Sequence, residues 1–155
     1  KTNNKMATTV TAATLTVAVA ETITLNGTTY DSTSNVSIAS IANISKRIMT
    51  VAAGATANVA SFLSTVTNDA YDTEDTKYIR LTNLDDTNEV IVTLSEASTA
   101  AGLELKAGAS LPLFSINANG AASKAALTTA TAIEDIHVHN ASGGAIDLEL
   151  FIAGV

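Results

Sequence analysis

His137 and His139 are the residues of this chain whose type and spacing first suggest chemistry, because no other histidine is present. Residues two apart lie on the same face of a β-strand, so the two imidazoles would point in one direction. Such a pair binds zinc or nickel when a neighbouring strand supplies a third ligand. Ile136 and Val138 would occupy the opposite, apolar face. The pattern therefore favours histidines that face solvent or a partner subunit, with a metal site as the alternative.

Acidic side chains at residues 69–75 form a second candidate site. Calcium binds several carboxylate oxygens at once, which a short acidic segment can supply. This segment carries Asp69, Asp72, Glu74 and Asp75, but it lacks the glycine and the downstream glutamate of an EF-hand loop. We interpret it as a solvated loop, with calcium binding left open.

Other catalytic patterns are missing from the sequence. The chain has no cysteine, which excludes disulfides, thiol nucleophiles and iron–sulfur clusters. It has no G-x-S-x-G turn, no Walker loop and no G-x-G-x-x-G motif. Paired carboxylates could hydrolyse glycosides, but sugar-cleaving clefts are usually lined with aromatic side chains, and here aromatics are 4% with no tryptophan. The sequence predicts a protein that is not an enzyme, with no catalytic, cofactor-binding or metal-binding residues.

The charge of the chain limits its partners. The net charge is -7, and the eight lysines and arginines are scattered, so no basic stripe is available to neutralise phosphates. Nothing approaches the ~20 consecutive apolar residues of a membrane-spanning helix. We therefore expect neither nucleic acid nor membrane as a partner. Charged residues are 15% of the chain, against ~25% in ordinary soluble domains, which suits a surface covered by neighbouring molecules.

The first twenty residues contain a polar segment followed by an apolar run. We predict an N-terminal arm at residues 1–9 and a single domain at residues 10–155. Lys1 and Lys5 precede the run at residues 10–20, an order that resembles a secretory signal. Threonines interrupt that run, and its larger side chains alternate, which favours a strand. The absence of a methionine at Lys1 leaves open a removed leader or residues ahead of it.

Alternating apolar residues predict that the chain is built from β-strands. Asn26-Gly27 is a strong signal for a two-residue hairpin turn. We expect a polar loop at residues 31–35, a strand at 56–63, hairpin turns at 85–88 and 142–144, and a helical turn near 124–127. The predicted fold is all-β, an antiparallel β-sandwich or jelly-roll-like barrel of roughly 8–10 short strands with little helix.

The phase of this alternation predicts a core and a contact surface. Twelve residues in one phase are expected to be buried together: Ile79, Leu81, Val90, Val92, Leu94, Leu105, Leu111, Leu113, Ile136, Val138, Leu148 and Leu150. Ile91 and Phe151 lie in the opposite phase on strands expected to be neighbours, so they would form an apolar contact patch. We predict a homo-oligomer, with a trimer preferred, and Phe151 or Ile91 in an interface. His137 and His139 are further interface candidates.

One segment resembles a known class of proteins. Residues 103–113 read LELKAGASLPL, and they lie between alternating strands at 79–84 and 146–153. This succession is similar to the small β-sandwich structural proteins of tailed bacteriophage virions, particularly capsid decoration and accessory proteins. The resemblance implies a subunit made in the bacterial host cytoplasm and located in the virion. Its partners would be the major capsid protein or other virion proteins, and no catalytic residues are implied.

Two alternatives remain at this point. A secreted fibre or surface-layer subunit, assembled by strand exchange, fits the apolar N-terminal run. A carbohydrate-binding module or tail-spike fragment would need exposed aromatic side chains, for which Tyr30, Tyr71 and Tyr78 are available but well separated.

Overall fold

The computed structural model describes residues 10–63, 70–96, 99–114 and 133–155. The fold is all-β, with no helix in these ranges, as the sequence predicts. The predicted arm at 1–9 and the predicted helical turn near 124–127 lie outside the described residues. The described strands are β1 Ala13–Leu25, β2 Thr28–Ile41, β3 Asn43–Val51, β4 Thr56–Leu63, β5 Tyr71–Asp72, β6 Thr76–Asn83, β7 Val90–Glu96, β8 Thr99–Leu105, β9 Ser110–Leu113, β10 Asp135–His139 and β11 Ile146–Gly154.

Contacts divide the chain into two compact units between Ala42 and Asn43. The first unit holds β1 and β2, and the second, Asn43–Gly154, holds β3 to β11. A single domain at residues 10–155 stays a prediction beside this division.

The first unit is a long antiparallel hairpin of β1 and β2. Its turn residues, Asn26 and Gly27, have φ values of 51° and 80°. Positive φ at both positions is what a two-residue turn between twisted strands requires, and asparagine and glycine tolerate it best. The predicted turn is confirmed. The loop predicted at residues 31–35 is wrong, because β2 continues through these serines and threonines, which pair with β1.

The second unit contains two open sheets. One has the strand order β5-β4-β10-β7-β8, and the other has the order β3-β11-β6-β9. All pairs are antiparallel except β4 with the two-residue β5. The sheets do not close on themselves. The two predicted architectures are a β-sandwich and a barrel. Because the sheets stay open, the arrangement is that of a sandwich.

The pairing of these strands is nested. Apart from β5, the first strand pairs with the last (β3 with β11), the second with the second-last (β4 with β10), then β6 with β9, and finally β7 with β8. One long antiparallel ribbon is thus wrapped so that its strands alternate between two facing sheets. This is the strand order of a double-sheet jelly roll of eight strands.

Two connections differ from the sequence prediction. Residues 85–88 and 142–144 are not hairpin turns, because β6 and β7 lie in different sheets, as do β10 and β11. Each segment is a corner at which the ribbon crosses from one sheet to the other. Turn-forming residues indicate that the chain changes direction, but they carry no information about which sheet receives the next strand.

A single apolar cluster fills the space between the two sheets. Nine of the twelve predicted core residues are buried in it, and Leu94, Leu111 and Leu113 are partly buried against it. The predicted phase is therefore confirmed on every one of these strands. The cluster also contains Val51, Val59, Ala60, Phe62, Ile146 and Ile152.

Asn140 is a buried polar residue at a corner of the sandwich. Its Nδ2 donates hydrogen bonds to the carbonyl oxygens of Val51 at 3.0 Å and Gly144 at 2.8 Å. Its Oδ1 accepts from the Ser142 N–H at 2.9 Å. The side chain therefore joins the end of β3 to the corner between β10 and β11.

Asn83 has the same role at another pair of corners. It is buried, and its Nδ2 donates to the carbonyl oxygens of Asn88 at 2.8 Å and Leu105 at 3.3 Å. Its Oδ1 accepts from the Asp85 N–H at 3.0 Å. The corner between β6 and β7 is thus held against the corner between β8 and β9.

Replacing Leu148 with alanine tests the shared core. Leu148 is fully buried in β11, so Leu148→Ala should lower the free energy of unfolding by about 2–5 kcal/mol in urea titrations. Leu103→Ala is the matched control, because Leu103 is 44% exposed, and it should cost less than about 1 kcal/mol. Equal costs for the two variants would contradict the assignment of the core.

Replacing Asn140 tests the corners. Asn140→Ala leaves buried carbonyl oxygens and the Ser142 N–H without their partner, and each unpaired buried group costs about 1–3 kcal/mol. We expect unfolding free energy to fall by at least about 2 kcal/mol. Asn35→Ala, at an exposed position of β2, should change it by less than about 0.5 kcal/mol. If Asn140→Ala hardly changed the free energy of unfolding, the hydrogen bonds of this side chain would not be needed to stabilise the corner.

Candidate assembly surfaces

The β1–β2 hairpin is amphipathic. Residues that face each other across the two strands share a face, and the register pairs Leu15 with Ile38, Val17 with Val36 and Ile23 with Tyr30. We call this side, which also carries Val19, Glu21 and Leu25, the hairpin face. The opposite side carries small and polar residues: Thr16, Ala18, Ala20, Thr22, Thr24, Thr29, Asp31, Thr33, Asn35 and Ser37. Within β1 and β2, Glu21 is the only charged side chain on the hairpin face.

Much of the hairpin face is exposed in the single chain. Ile23, Leu25 and Tyr30 are 59%, 58% and 57% exposed. A two-stranded hairpin by itself is at best marginally stable in water, and a contiguous exposed apolar face usually marks an interaction site. The hairpin face is therefore a candidate interaction surface.

The outer side of the four-stranded sheet is a second uncovered surface. On the edge strand β3, Ile44, Lys46 and Ile48 alternate with inward-facing residues and point outward. Ile44 and Ile48 are 67% and 62% exposed. We call this row the β3 face. It combines exposed isoleucines with a basic side chain on the strand that ends the sheet within the described residues.

Ion pairs organise the side chains next to the β3 face. Lys46 Nζ lies 2.9 Å from Glu149 Oε2, and Arg80 pairs with the other carboxylate oxygen. The hydrogen bond from Lys46, more than any other cause, lowers the pKa of Glu149 below its ordinary value. Two cations thus share one carboxylate, and Asp147, on the same side of β11, accepts a hydrogen bond from Thr50 at 2.6 Å. The side chain of Lys46 remains 56% exposed.

Phe151 lies on this same outer side, between Lys46 and Arg80 in the strand register. Its ring is 6.0 Å from the ring of Tyr78, and the Arg80 guanidinium carbon lies 5.8 Å from its centroid. Burial raises the pKa of the Tyr78 phenol, against the opposing effect of Arg80. Phe151 is therefore half-buried among its own neighbours rather than fully exposed.

The outer side of the five-stranded sheet carries the other predicted interface residues. His137 and His139 share this side, His139 pairs directly with Ile91, and Ile91 is 43% exposed. Phe151 lies on the other sheet of the sandwich, facing away. The predicted single patch of Ile91 and Phe151 is therefore wrong, because β7 and β11 are not neighbours. That one or other of them lies in an interface stays a prediction.

Polar side chains form a row beside the histidines. The Asp135 carboxylate accepts hydrogen bonds from Ser61 Oγ at 2.6 Å and from Asn58 Nδ2 at 2.9 Å. His139 Nδ1 is 2.9 Å from the Thr56 hydroxyl. In a Ser-His-Asp triad the histidine accepts the serine proton, whereas Ser61 donates to a carboxylate. This row therefore lacks the geometry of a catalytic triad.

A groove of about 430 Å³ lies next to this row. Its lining includes Arg47 and Tyr71. Arg47 donates to the Val59 carbonyl oxygen at 2.5 Å, and the Tyr71 hydroxyl is 2.8 Å from Ser45 Oγ. These two contacts join β3 to β4 and β5 of the facing sheet.

The remaining candidate sites are the acidic segment at residues 69–75 and the three tyrosines. Asp69 lies outside the described residues, and Asp72 Oδ1 accepts from the backbone N–H of Glu74 at 2.7 Å. No cluster of three or more histidine, cysteine or acidic side chains in the described ranges could hold a metal ion. Of the three tyrosines, Tyr78 is buried and Tyr30 is exposed, so they do not form a stacking surface for sugars.

In comparisons with known proteins, neither a protein-family model nor a curated protein sequence matches this chain. Within the described residues, no helix has the length and hydropathy needed to cross a membrane.

Sequence reasoning missed both the hairpin face and the β3 face. The alternation of Leu15, Val17 and Val19 was visible, but the polar segment at 31–35 concealed the second strand of the hairpin. Ile44, Lys46 and Ile48 also alternate. The sequence does not reveal which phase of a strand remains uncovered until its partner strand is known.

Removing a hydrogen bond to Asp135 tests the polar row. Hydrogen bonds, first from Ser61 and then from Asn58, lower the pKa of Asp135. A lowered pKa stabilises the fold above the unfolded-state value of about 3.9 and loses that effect as the pH falls through the folded-state pKa. In Ser61→Ala we expect the Asp135 pKa, measured by carboxyl NMR, to rise. The stability difference from wild type should shrink at low pH. An unchanged pKa would contradict this assignment.

Proposed function

We propose that this protein is a non-enzymatic structural subunit of a virion, of the capsid-decoration type. The observation that carries the proposal is the hairpin face, an apolar surface that remains uncovered in the single chain. A protein with such a surface is suited to associate with a neighbouring molecule, and a symmetric shell offers many equivalent neighbours.

Repeated weak contacts explain how such a subunit could hold to a shell. Linked contacts act at a high effective concentration, so total binding can exceed any single affinity by several orders of magnitude. The hairpin supplies one contact, and the outer sides of the two sheets supply further ones. Low charge reduces the cost of desolvating these surfaces. Residues 10–42 contain just two charged side chains, Glu21 and Asp31.

The architecture is compatible with this role. Double-sheet jelly rolls occur in viral capsid proteins, and also in lectins and cupins. Because one fold serves many functions, this likeness supports the proposal by analogy, and the uncovered hairpin face remains its physical basis.

The alternative of a fibre subunit assembled by strand exchange has less support. Strand exchange completes a sandwich in which one strand is missing. In this chain eight strands of the second unit already pair in a nested ribbon. The core therefore needs no donor strand, whereas the hairpin needs a surface to cover it.

Particle binding tests the proposal. Mass spectrometry should detect the protein in purified particles of the virus that encodes it, and particles stripped of it should bind the recombinant chain. Ile23→Asp places a charge on the hairpin face and should reduce occupancy at least tenfold. Ala20→Asp adds the same charge on the polar side of β1, and it should bind like wild type.

Two outcomes would overturn the proposal. One is the absence of the protein from particles that were purified without stripping. The other is a gene that lies in a cellular genome outside any viral sequence. Circular dichroism should confirm that both aspartate variants fold, since a folding defect in Ile23→Asp alone would imitate the loss of binding.

A further inference from the structure

Two uncovered surfaces of this chain have matching patterns. On the hairpin face, β1 presents Val19, Glu21 and Ile23 as successive outward residues. On the β3 face, the successive outward residues are Ile44, Lys46 and Ile48. Both rows read apolar, charged, apolar, and the two charges are opposite in sign. Same-face residues in a strand are about 6.6 Å apart, so the two rows can lie in register.

The two central charges of these rows are opposite in sign. Around Lys46, the outer side of the four-stranded sheet also carries Arg80, Glu149 and Asp147, so its positive and negative charges balance. The hairpin face carries one negative charge, that of Glu21. The whole chain has a net charge of -7. The Lys46 side chain is nevertheless 56% exposed, so its ammonium group is accessible to an acidic side chain of a second molecule.

We propose that the hairpin face of one molecule packs on the β3 face of a second copy of this chain, with Glu21 beside Lys46. In each row the charged residue stands between two apolar residues. Parallel and antiparallel alignments of the two strands therefore both place Glu21 beside Lys46. The isoleucines of the β3 face would cover Val19 and Ile23. Phe151, on the same sheet side as Lys46, would lie within or next to this contact.

The size of the hairpin face sets the strength of this contact. The hairpin face is about 43 Å long and 10 Å wide from its strand length and spacing, or about 400 Å². Each contact is thus smaller than the ~800 Å² per partner of a stable standard interface. Such a contact is weak alone and becomes effective when it is repeated.

The contact joins two different surfaces, so it is heterologous. Heterologous contacts close into rings or continue as open chains. This inference deepens the proposed function, because links between neighbours strengthen a decoration layer, and it rests on that function for its biological meaning. Its test uses purified protein without particles. Its failure and that of the proposed function are therefore separate observations.

Charge reversal tests the pairing of Glu21 with Lys46. Sedimentation velocity of wild-type protein should show association that rises with concentration. Glu21→Lys and Lys46→Glu should each weaken it at least tenfold, since each sets like charges against one another. An equimolar mixture of the two single variants should associate again, because every contact between unlike chains then pairs opposite charges. The double variant should also associate with itself.

The matched control is Asp31→Lys, which makes the same charge change on the polar side of the hairpin and should associate like wild type. Thermal unfolding should confirm that each variant folds, particularly Lys46→Glu, which loses its ion pair with Glu149. The proposal is overturned if wild type stays monomeric at millimolar concentration, if Asp31→Lys weakens association as much as Glu21→Lys, or if the mixture of single variants stays dissociated. Loss of association in Ile23→Asp but in neither charge variant would place a different surface against the hairpin.

Discussion

Every sheet in this protein must keep water away from one apolar face, and the rest of the structure follows from that constraint. In the second unit the two sheets meet this need for each other. The buried faces of β6, β7, β10 and β11 supply most of one continuous apolar cluster. The hairpin of β1 and β2 has an apolar face of the same kind, yet that face remains exposed in the single chain. The same physical requirement that builds the sandwich is the basis on which we propose assembly with another molecule.

The corners of the sandwich meet a second requirement. A ribbon that crosses between sheets leaves backbone groups at each corner without strand partners, and burying such groups unpaired is costly. Asn83 and Asn140 satisfy them, since each side chain both donates and accepts within a pair of adjacent corners. Two amides thus join corners that are well separated in sequence.

Local patterns predicted the features that depend on neighbours in sequence. Asn26-Gly27 identified the hairpin turn, and period-two alternation identified the buried phase of all twelve predicted core residues. Features that depend on distant pairing were not accessible. Residues 142–144 indicated a turn, but the partner of β11 is β3, about a hundred residues earlier in the chain. For the same reason Phe151 and Ile91 received the correct phase, while their placement on opposite sheets could not be foreseen.

The most direct test of the account is chemical cross-linking between two copies, which the absence of native cysteine makes specific. Glu21→Cys and Lys46→Cys would be introduced into separate, differently tagged chains and joined with a bis-maleimide of about 10 Å, the distance between packed sheets. We expect a cross-linked dimer containing one chain of each kind, and little product when Asp31→Cys replaces Glu21→Cys. Equal yields from the two hairpin positions, or no mixed dimer at concentrations where the protein associates, would contradict it.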